Sequence, residues 1–237
     1  MNILNLVVHN LDGDSTHLTF FVRRILLAGF TSRNQKLAMK HVEELRAHGV
    51  VAPKNIPSFY AIPHHLLSTE TDLEVFGNET SGEIEPVLLF HSGQTYLGVG
   101  SDHTDRELEK KSIAKSKIMC RKILAPEVWN YKEVKNSWDK LVLRSWINQG
   151  RKRRIYQEDL LATFLKPEKL IRLAKGCIRG GTLDGTVLFL GTIPILGSSF
   201  GFSGNFKGEL VDNVRKRQLS FKYQIRPMKW LKASDQG

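Results

Sequence analysis

Two periods of apolar and polar residues divide the chain. Leu18 to Leu27 is rich in β-forming residues and reads as a strand. From Arg33 to His48 the apolar residues Leu37, Ala38, Val42 and Leu45 recur at helical spacing, a single stripe suited to packing on a sheet. Ser32 is the expected N-cap of that helix and Gly49 its terminator. Pro53, Pro57 and Pro63 then punctuate an extended connector in which His64 and His65 read as loop residues. The pattern predicts an N-terminal strand-helix appendage over 1–54 and a main domain over 55–237.

Further on, Pro86 to Phe90 is a continuous apolar run and Gln94 to Gly100 reads as its returning strand. Asp105 to Lys122 reads as a helix, with Glu107 and Glu109 early and Lys115, Lys117, Arg121 and Lys122 late, a distribution that complements the helix dipole. Tyr131 to Ile147 is expected to be a turn followed by a helix or strand, its Trp138, Leu141, Leu143 and Trp146 serving core or subunit interface. Tyr156 to Leu165 and Pro167 to Ala174 suggest two short helices, the second opened by Pro167 at its first position and closed by Gly176. Gly176 to Gly208 is glycine-rich among β-branched and aromatic residues and reads as strands with tight turns. It matches neither the dinucleotide nor the phosphate-loop glycine pattern. A last strand is expected from Leu219 to Ile225.

Composition changes this picture little. With 237 residues and 41% hydrophobic content, the chain suits one large domain with a substantial core. Its two cysteines, Cys120 and Cys177, lie far apart without metal or disulfide spacing, which fits a reducing cytoplasm. Met1 to Val8 is short and is followed by Asp12 and Asp14, so a signal peptide is not expected, and no apolar run approaches membrane length. The net charge of +11 raises a nucleic-acid partner, with Arg151-Lys152-Arg153-Arg154 as the densest run. That run lacks aromatic interleaving and lies between two expected helices, so it reads as a solvated loop. The excess positive charge also suits the steering of anionic substrates.

The chemistry concentrates between Gly82 and Lys117. Glu83 and Glu85 are two apart in a strand, so both side chains project from one face while Ile84 faces away, and one hairpin later the chain delivers Asp102. Paired carboxylates beside an apolar run repel each other and resist burial unless a positive charge sits between them. Three carboxylates suit a hard divalent cation: magnesium, manganese or calcium. The alternative is an exposed edge strand with solvated glutamates. Removing one acid of the three is expected to relieve repulsion and leave the fold intact. His103 is a candidate general base by its intrinsic pKa, and it could equally face the core. A lysine entering the site could stabilise an enolate. Arg106 could grip a substrate carboxylate or pair with a metal-binding acid.

These residues resemble the fumarylacetoacetate hydrolase superfamily, and within it a DUF2848-like bacterial branch. GEIEPVLLF, SDHTDREL and AKSK stand in the order of that superfamily's Glu-x-Glu strand, Asp-x-Thr-x-Arg segment and Lys-Ser motif. The resemblance implies Glu83, Glu85 and Asp102 as metal ligands, Thr104 and Arg106 as the matching threonine and arginine, and Lys115 or Lys117 as the lysine. GTVLFLGTIPILG looks like the superfamily's Gly-Thr-Pro turn, with Thr192 as a substrate-binding threonine, although Ile193 interrupts the motif. On the predicted first helix, His41 and Glu44 match a His-x-x-Glu pair that activates water, and residues three apart share a helix face. The implied fold is a strand-rich α+β, mixed β-sandwich roll, and the implied assembly a homodimer. The implied activity is metal-dependent hydrolysis of a C–C bond or decarboxylation of a small 2-oxo or 1,3-dicarbonyl acid. A hydratase or lyase of aromatic-degradation intermediates, or a non-catalytic metal- or ligand-binding protein, stands as the alternative.

Overall fold

A computed structural model of the chain describes residues 2–47, 53–150, 152–197 and 199–230. The chain opens with three strands, β1 (Asn2–His9), β2 (Ser15–Val22) and β3 (Arg24–Gly29), before helix α1 (Gln35–Ala47). The single strand expected over Leu18–Leu27 is therefore two, divided at Arg23. Helix α1 starts two residues later than expected, and its expected end at Gly49 lies outside the described residues. Next come β4 (Ser58–Ile62), a single 3₁₀ turn over His64–Leu66, β5 (Leu67–Ser68), β6 (Asp72–Val75) and β7 (Thr80–Ser81). The hairpin β8 (Ile84–His91) and β9 (Gln94–Ser101) follows as the sequence predicts, then β10 (Thr104–Asp105).

The long helix expected over Asp105–Lys122 does not form. Its place is taken by two single-turn helices, α2 (Arg106–Glu109) and α3 (Ile113–Ser116), and by strand β11 (Lys122–Leu124). Internal capping explains the break: Asp105 accepts from the amide of Leu108 and Ser112 from that of Lys115, so each starts a new helix. After β12 (Glu127–Asn130), α4 (Tyr131–Val134) and a 3₁₀ turn, β13 (Val142–Gln149) and β14 (Lys152–Leu160) form a hairpin. The short helix expected from Tyr156 is thus the end of a strand, held by eight register pairs with β13. Lys152–Arg154 belong to that strand rather than to a loop between helices. Helix α5 (Pro167–Cys177) starts at Pro167 as expected but runs through Gly176, its expected terminator, to Cys177; β15 (Thr186–Phe189), β16 (Asn205–Asp212) and β17 (Arg217–Pro227) complete the chain.

The strands form two main sheets. The larger is mixed and runs β2-β1-β12-β9-β8-β15-β3-β4, with β11 and β5 attached beside β9. The smaller runs β14-β13-β16-β17-β6. This is the expected strand-rich α+β roll. Residues 1–54 supply β1, β2 and β3 to the larger sheet, so the segment read as an appendage shares that sheet with the hairpin β8–β9.

Strand β8 shows how the centre of the larger sheet is buried on both faces, whereas its edge strand β2 alternates buried and exposed residues. Val87 and Leu89 join an apolar cluster with Phe20, Val22 and Phe189, while Leu88 and Phe90 join a second one with Trp129, Leu143 and Phe221. A continuous apolar run is what a doubly covered strand requires, and each such side chain contributes roughly 1.5–3 kcal/mol on burial. Trp138 lies in the second cluster as expected. Trp146 does not: it is half-buried on the outer face of the smaller sheet, with Arg144, Arg153 and Lys207 around its ring. No helix among the described residues is long and apolar enough to cross a membrane.

Candidate metal centre

The hairpin β8–β9 brings the three acids together. Ile84 pairs with Ser101 and Glu85 with Gly100, and just beyond the ladder Asp102 donates its amide to the carbonyl of Glu83 at 3.0 Å. Glu83 and Glu85 share one strand face, and cross-strand partners point the same way, so Asp102 joins them. One ligand oxygen from each lies within 4.8 Å of the others, a spacing that one cation can bridge. Glu85 and Asp102 are buried, and Glu83 is nearly so. The edge-strand alternative with solvated glutamates therefore falls.

Each acid has its own partners. Asp102 is held by two buried ammonium groups: Lys122 Nζ is 2.9 Å from Oδ1 and Lys117 Nζ 2.5 Å from Oδ2. Burial opposes its ionisation, but these two charges prevail and keep its pKa down at about 2. Glu83 accepts from Arg106 at 3.0 Å and from Lys117 at 3.3 Å. Burial again works against the charge, and Arg106 with Lys117 outweighs it, so the Glu83 pKa is lowered. Glu85 differs: it has no ion pair among the described residues, and its Oε2 accepts only from the backbone N–H of Gly191, at 2.7 Å. Burial and the neighbouring charges of Asp102 and Glu83 push its pKa well up. A buried, under-neutralised carboxyl beside two others is the feature that a hard divalent cation would satisfy.

The supports of the cluster come from distant parts of the chain. Gly191 has φ +95°, and a Cβ there would collide with Thr31 Oγ1, so glycine is required where the backbone approaches Glu85. The next residue, Thr192, donates to the carbonyl of Ile84 at 2.8 Å. Gln157, on β14, donates to Thr192 Oγ1 and the Ile193 carbonyl and accepts from the amide of Ile84, which ties the β15 turn to the metal strand.

The other candidate residues divide clearly. Lys117 reaches the acids and Lys115 is solvent-exposed. Arg106 is buried and committed: it donates to Ser81, Glu83 and Glu109, so it orients Glu83. Thr104 donates to the Asp102 carbonyl at 3.0 Å. His103 faces away from the acids, between Tyr223 OH at 2.8 Å and Thr80 Oγ1 at 2.9 Å. Burial, together with the charges of Lys122 and Arg106, holds its pKa well below the usual histidine range. His41 and Glu44 both fall on α1, and their side chains lie outside the described residues.

Lys122 is the residue that sequence reasoning missed. Read as the basic end of a helix, it is a fully buried strand residue bonded to Asp102 and to the His103 carbonyl. The available signal was a lysine leading directly into the apolar run Ile123-Leu124-Ala125.

Residues 28–223 match the family model described as protein of unknown function (DUF2848). The chain belongs to the DUF2848 family. No curated protein matches it in sequence. Among solved structures, this DUF2848 chain is similar to that of Cg1458, with 12% identity and a TM-score of 0.60 over 91% of this chain and 83% of the other. It is similar to the apo form of 2-keto-3-deoxy-D-arabinonate dehydratase, with 15% identity and a TM-score of 0.62 over 89% and 76%. The same dehydratase complexed with magnesium and 2,5-dioxopentanoate matches at 16% identity, with the same TM-score and coverage. At these identities the likeness establishes a shared fold.

Proposed function

We propose that this DUF2848 protein is a divalent-metal-dependent enzyme of the fumarylacetoacetate hydrolase superfamily, acting on a small 2-oxo carboxylic acid. The observation that carries the reading is the convergence of Glu83, Glu85 and Asp102 within 4.8 Å, with Lys117 lodged against two of them. Magnesium is the preferred ion, manganese the second choice and calcium a third, because the donor set is entirely carboxylate oxygen. Bound by these acids, the ion would supply Lewis-acid polarisation of the substrate's carboxylate and adjacent carbonyl. The protein does the rest. Lys122 and Arg106 hold Asp102 and Glu83 as ionised ligands, and the Gly191 N–H orients Glu85. Lys117 keeps an ammonium where negative charge develops on an enolate oxygen, in a buried site where that charge counts most.

The reaction we favour is addition or removal of water, a lyase step, supported by the fold shared with a dehydratase whose complex holds magnesium and a 2-oxo compound. C–C hydrolysis or decarboxylation is the second reading, favoured by the His41–Glu44 spacing on α1 as a water-activating pair. We further propose that the enzyme is a homodimer, as the resemblance implies, and cytoplasmic, in line with its two separate cysteines; sedimentation tests the assembly.

The decisive experiment is thermal unfolding of metal-stripped protein alone, with magnesium, and with magnesium plus oxalate, a mimic of enolpyruvate. A rise in Tm with magnesium that grows with oxalate supports the reading. No rise under either condition refutes it. Product analysis on 2-oxo acids then separates the reactions: water gained or lost marks a lyase, and carbon dioxide release a decarboxylase. Loss of turnover with retained magnesium binding in His41→Ala would favour hydrolysis.

A further inference from the structure

The chain between β15 and β16 crosses the outside of the metal cluster. Its residues 191–197 start on the site, where the Gly191 N–H meets Glu85 and Thr192 meets the Ile84 carbonyl. Leu196 then donates its amide to the Tyr156 carbonyl at 2.7 Å. Residues 199–204 are anchored again where Gly201 donates to Tyr156 OH at 3.3 Å and Ser203 Oγ accepts from the Asn148 amide at 3.2 Å. Between these anchors Phe200 lays its ring over the Arg106 guanidinium, 4.2 Å from ring centroid to Cζ. Arg106 is only 3% exposed, so the ring covers the guanidinium that holds Glu83. Phe200 itself remains 45% exposed.

An aromatic ring seated on a buried cation, with nearly half its surface still in water, is an incomplete contact. Phe202 and Leu196 on the same crossing are exposed to a similar degree, 47% and 49%. The cations beneath are already engaged: Arg106 by Ser81, Glu83 and Glu109, Lys117 by Asp102 and Glu83, and Lys122 by Asp102 and the His103 carbonyl. The cluster thus has polar chemistry inside and, over Arg106, the half-exposed ring of Phe200 outside. A substrate that places its 2-oxo carboxylate on the inner groups would direct its remaining substituent toward the exposed ring of Phe200.

We infer that Phe200 is a specificity-determining residue, selecting 2-oxo acids whose substituent beyond the oxo group is apolar. The inference rests on the metal-site reading above. Arg154, which reaches the Leu196 carbonyl with one guanidinium nitrogen, is the group that would favour an acidic substituent instead.

The test is calorimetric binding of oxalate, pyruvate, phenylpyruvate and 2-oxoglutarate to the magnesium-loaded protein, to Phe200→Ala and to Phe200→Leu. Phenylpyruvate should bind at least about tenfold more tightly than pyruvate, the scale of apolar-pocket discrimination. That ratio should collapse in Phe200→Ala and partly return in Phe200→Leu, whereas a merely structural role would change the affinities for pyruvate and phenylpyruvate together. Tighter binding of 2-oxoglutarate than phenylpyruvate, or an unchanged ratio in folded Phe200→Leu and Phe200→Ala, would overturn the inference. Absence of magnesium-dependent oxalate binding in the unaltered protein would remove the metal site itself, and the inference with it.

Discussion

Asp102 and His103 are neighbours in sequence and both buried, yet they belong to opposite kinds of environment. On one side of the strand end, Asp102 joins Glu83 and Glu85, and charge is balanced by Lys117, Lys122 and Arg106. On the other, His103, Tyr223, Ser101 and Thr80 form a neutral network in which both ring nitrogens of His103 have hydroxyl partners. Successive residues on extended backbone face opposite ways, so one peptide unit separates the two. A neutral network is complete as it stands. The charged cluster, with Glu85 lacking a cation of its own among the described residues, is not, and the proposed metal site rests on that difference.

The comparison is broken most severely from the charged side. Asp102→Ala should leave Lys122 a buried cation with only the His103 carbonyl, and Lys117 with only Glu83, and cost about 3–5 kcal/mol, read by chemical denaturation. Repulsion among three acids alone predicts an intact fold for this variant. The two lysines reverse that expectation, and a variant as stable as the parent would show that the pairs contribute nothing. On the neutral side, Tyr223→Phe removes one hydroxyl that serves both His103 and Ser101, with an expected loss of about 1–3 kcal/mol.

A pH titration of stability sharpens the contrast further. The unfolded chain protonates His103 near pH 6.5 and the folded chain does not, so stability falls as pH drops below that value, by up to about 1.4 kcal/mol per pH unit. Asp102, held at about 2, adds a second loss between its ordinary value of 3.8 and that pH, because the unfolded chain again binds the proton first. In His103→Gln the upper part of the acid limb should flatten while the lower part remains. An unchanged upper limb would assign it to another group.

Glu85→Gln should raise metal-free stability by roughly 1 kcal/mol, since the amide oxygen keeps the Gly191 contact while the repelling charge goes. The same variant should lose the Tm shift given by magnesium; retention of the full shift would exclude Glu85 as a ligand. Smallest of all is Lys115→Ala, an exposed change expected within about 0.5 kcal/mol and without effect on magnesium binding. Lys117→Ala should alter both, and equal behaviour of the two variants would dissolve the distinction between them.

Much of this site was legible before folding. Glu83 and Glu85 share a face because strand side chains alternate with a period of two, a property of the backbone that needs no tertiary information. Strand β8, its return β9 and the start of α5 follow from local patterns in the same way. What failed was the stretch from Asp105 to Lys122, where charge placement suggested one helix. The caps Asp105 and Ser112 divide it, and the freed end becomes β11, which turns Lys122 inward.

The sequence by itself thus determined which acids stand together and that a doubly buried strand carries two of them. Only the tertiary structure decided which cations meet them, which way His103 faces and what covers Arg106. The reason is distance along the chain. Gly191 reaches Glu85 across 106 positions and Tyr223 reaches His103 across 120, and no local period encodes such partners. The ionisation of a buried carboxyl depends on those partners, so its chemistry is settled only when the sheets have packed.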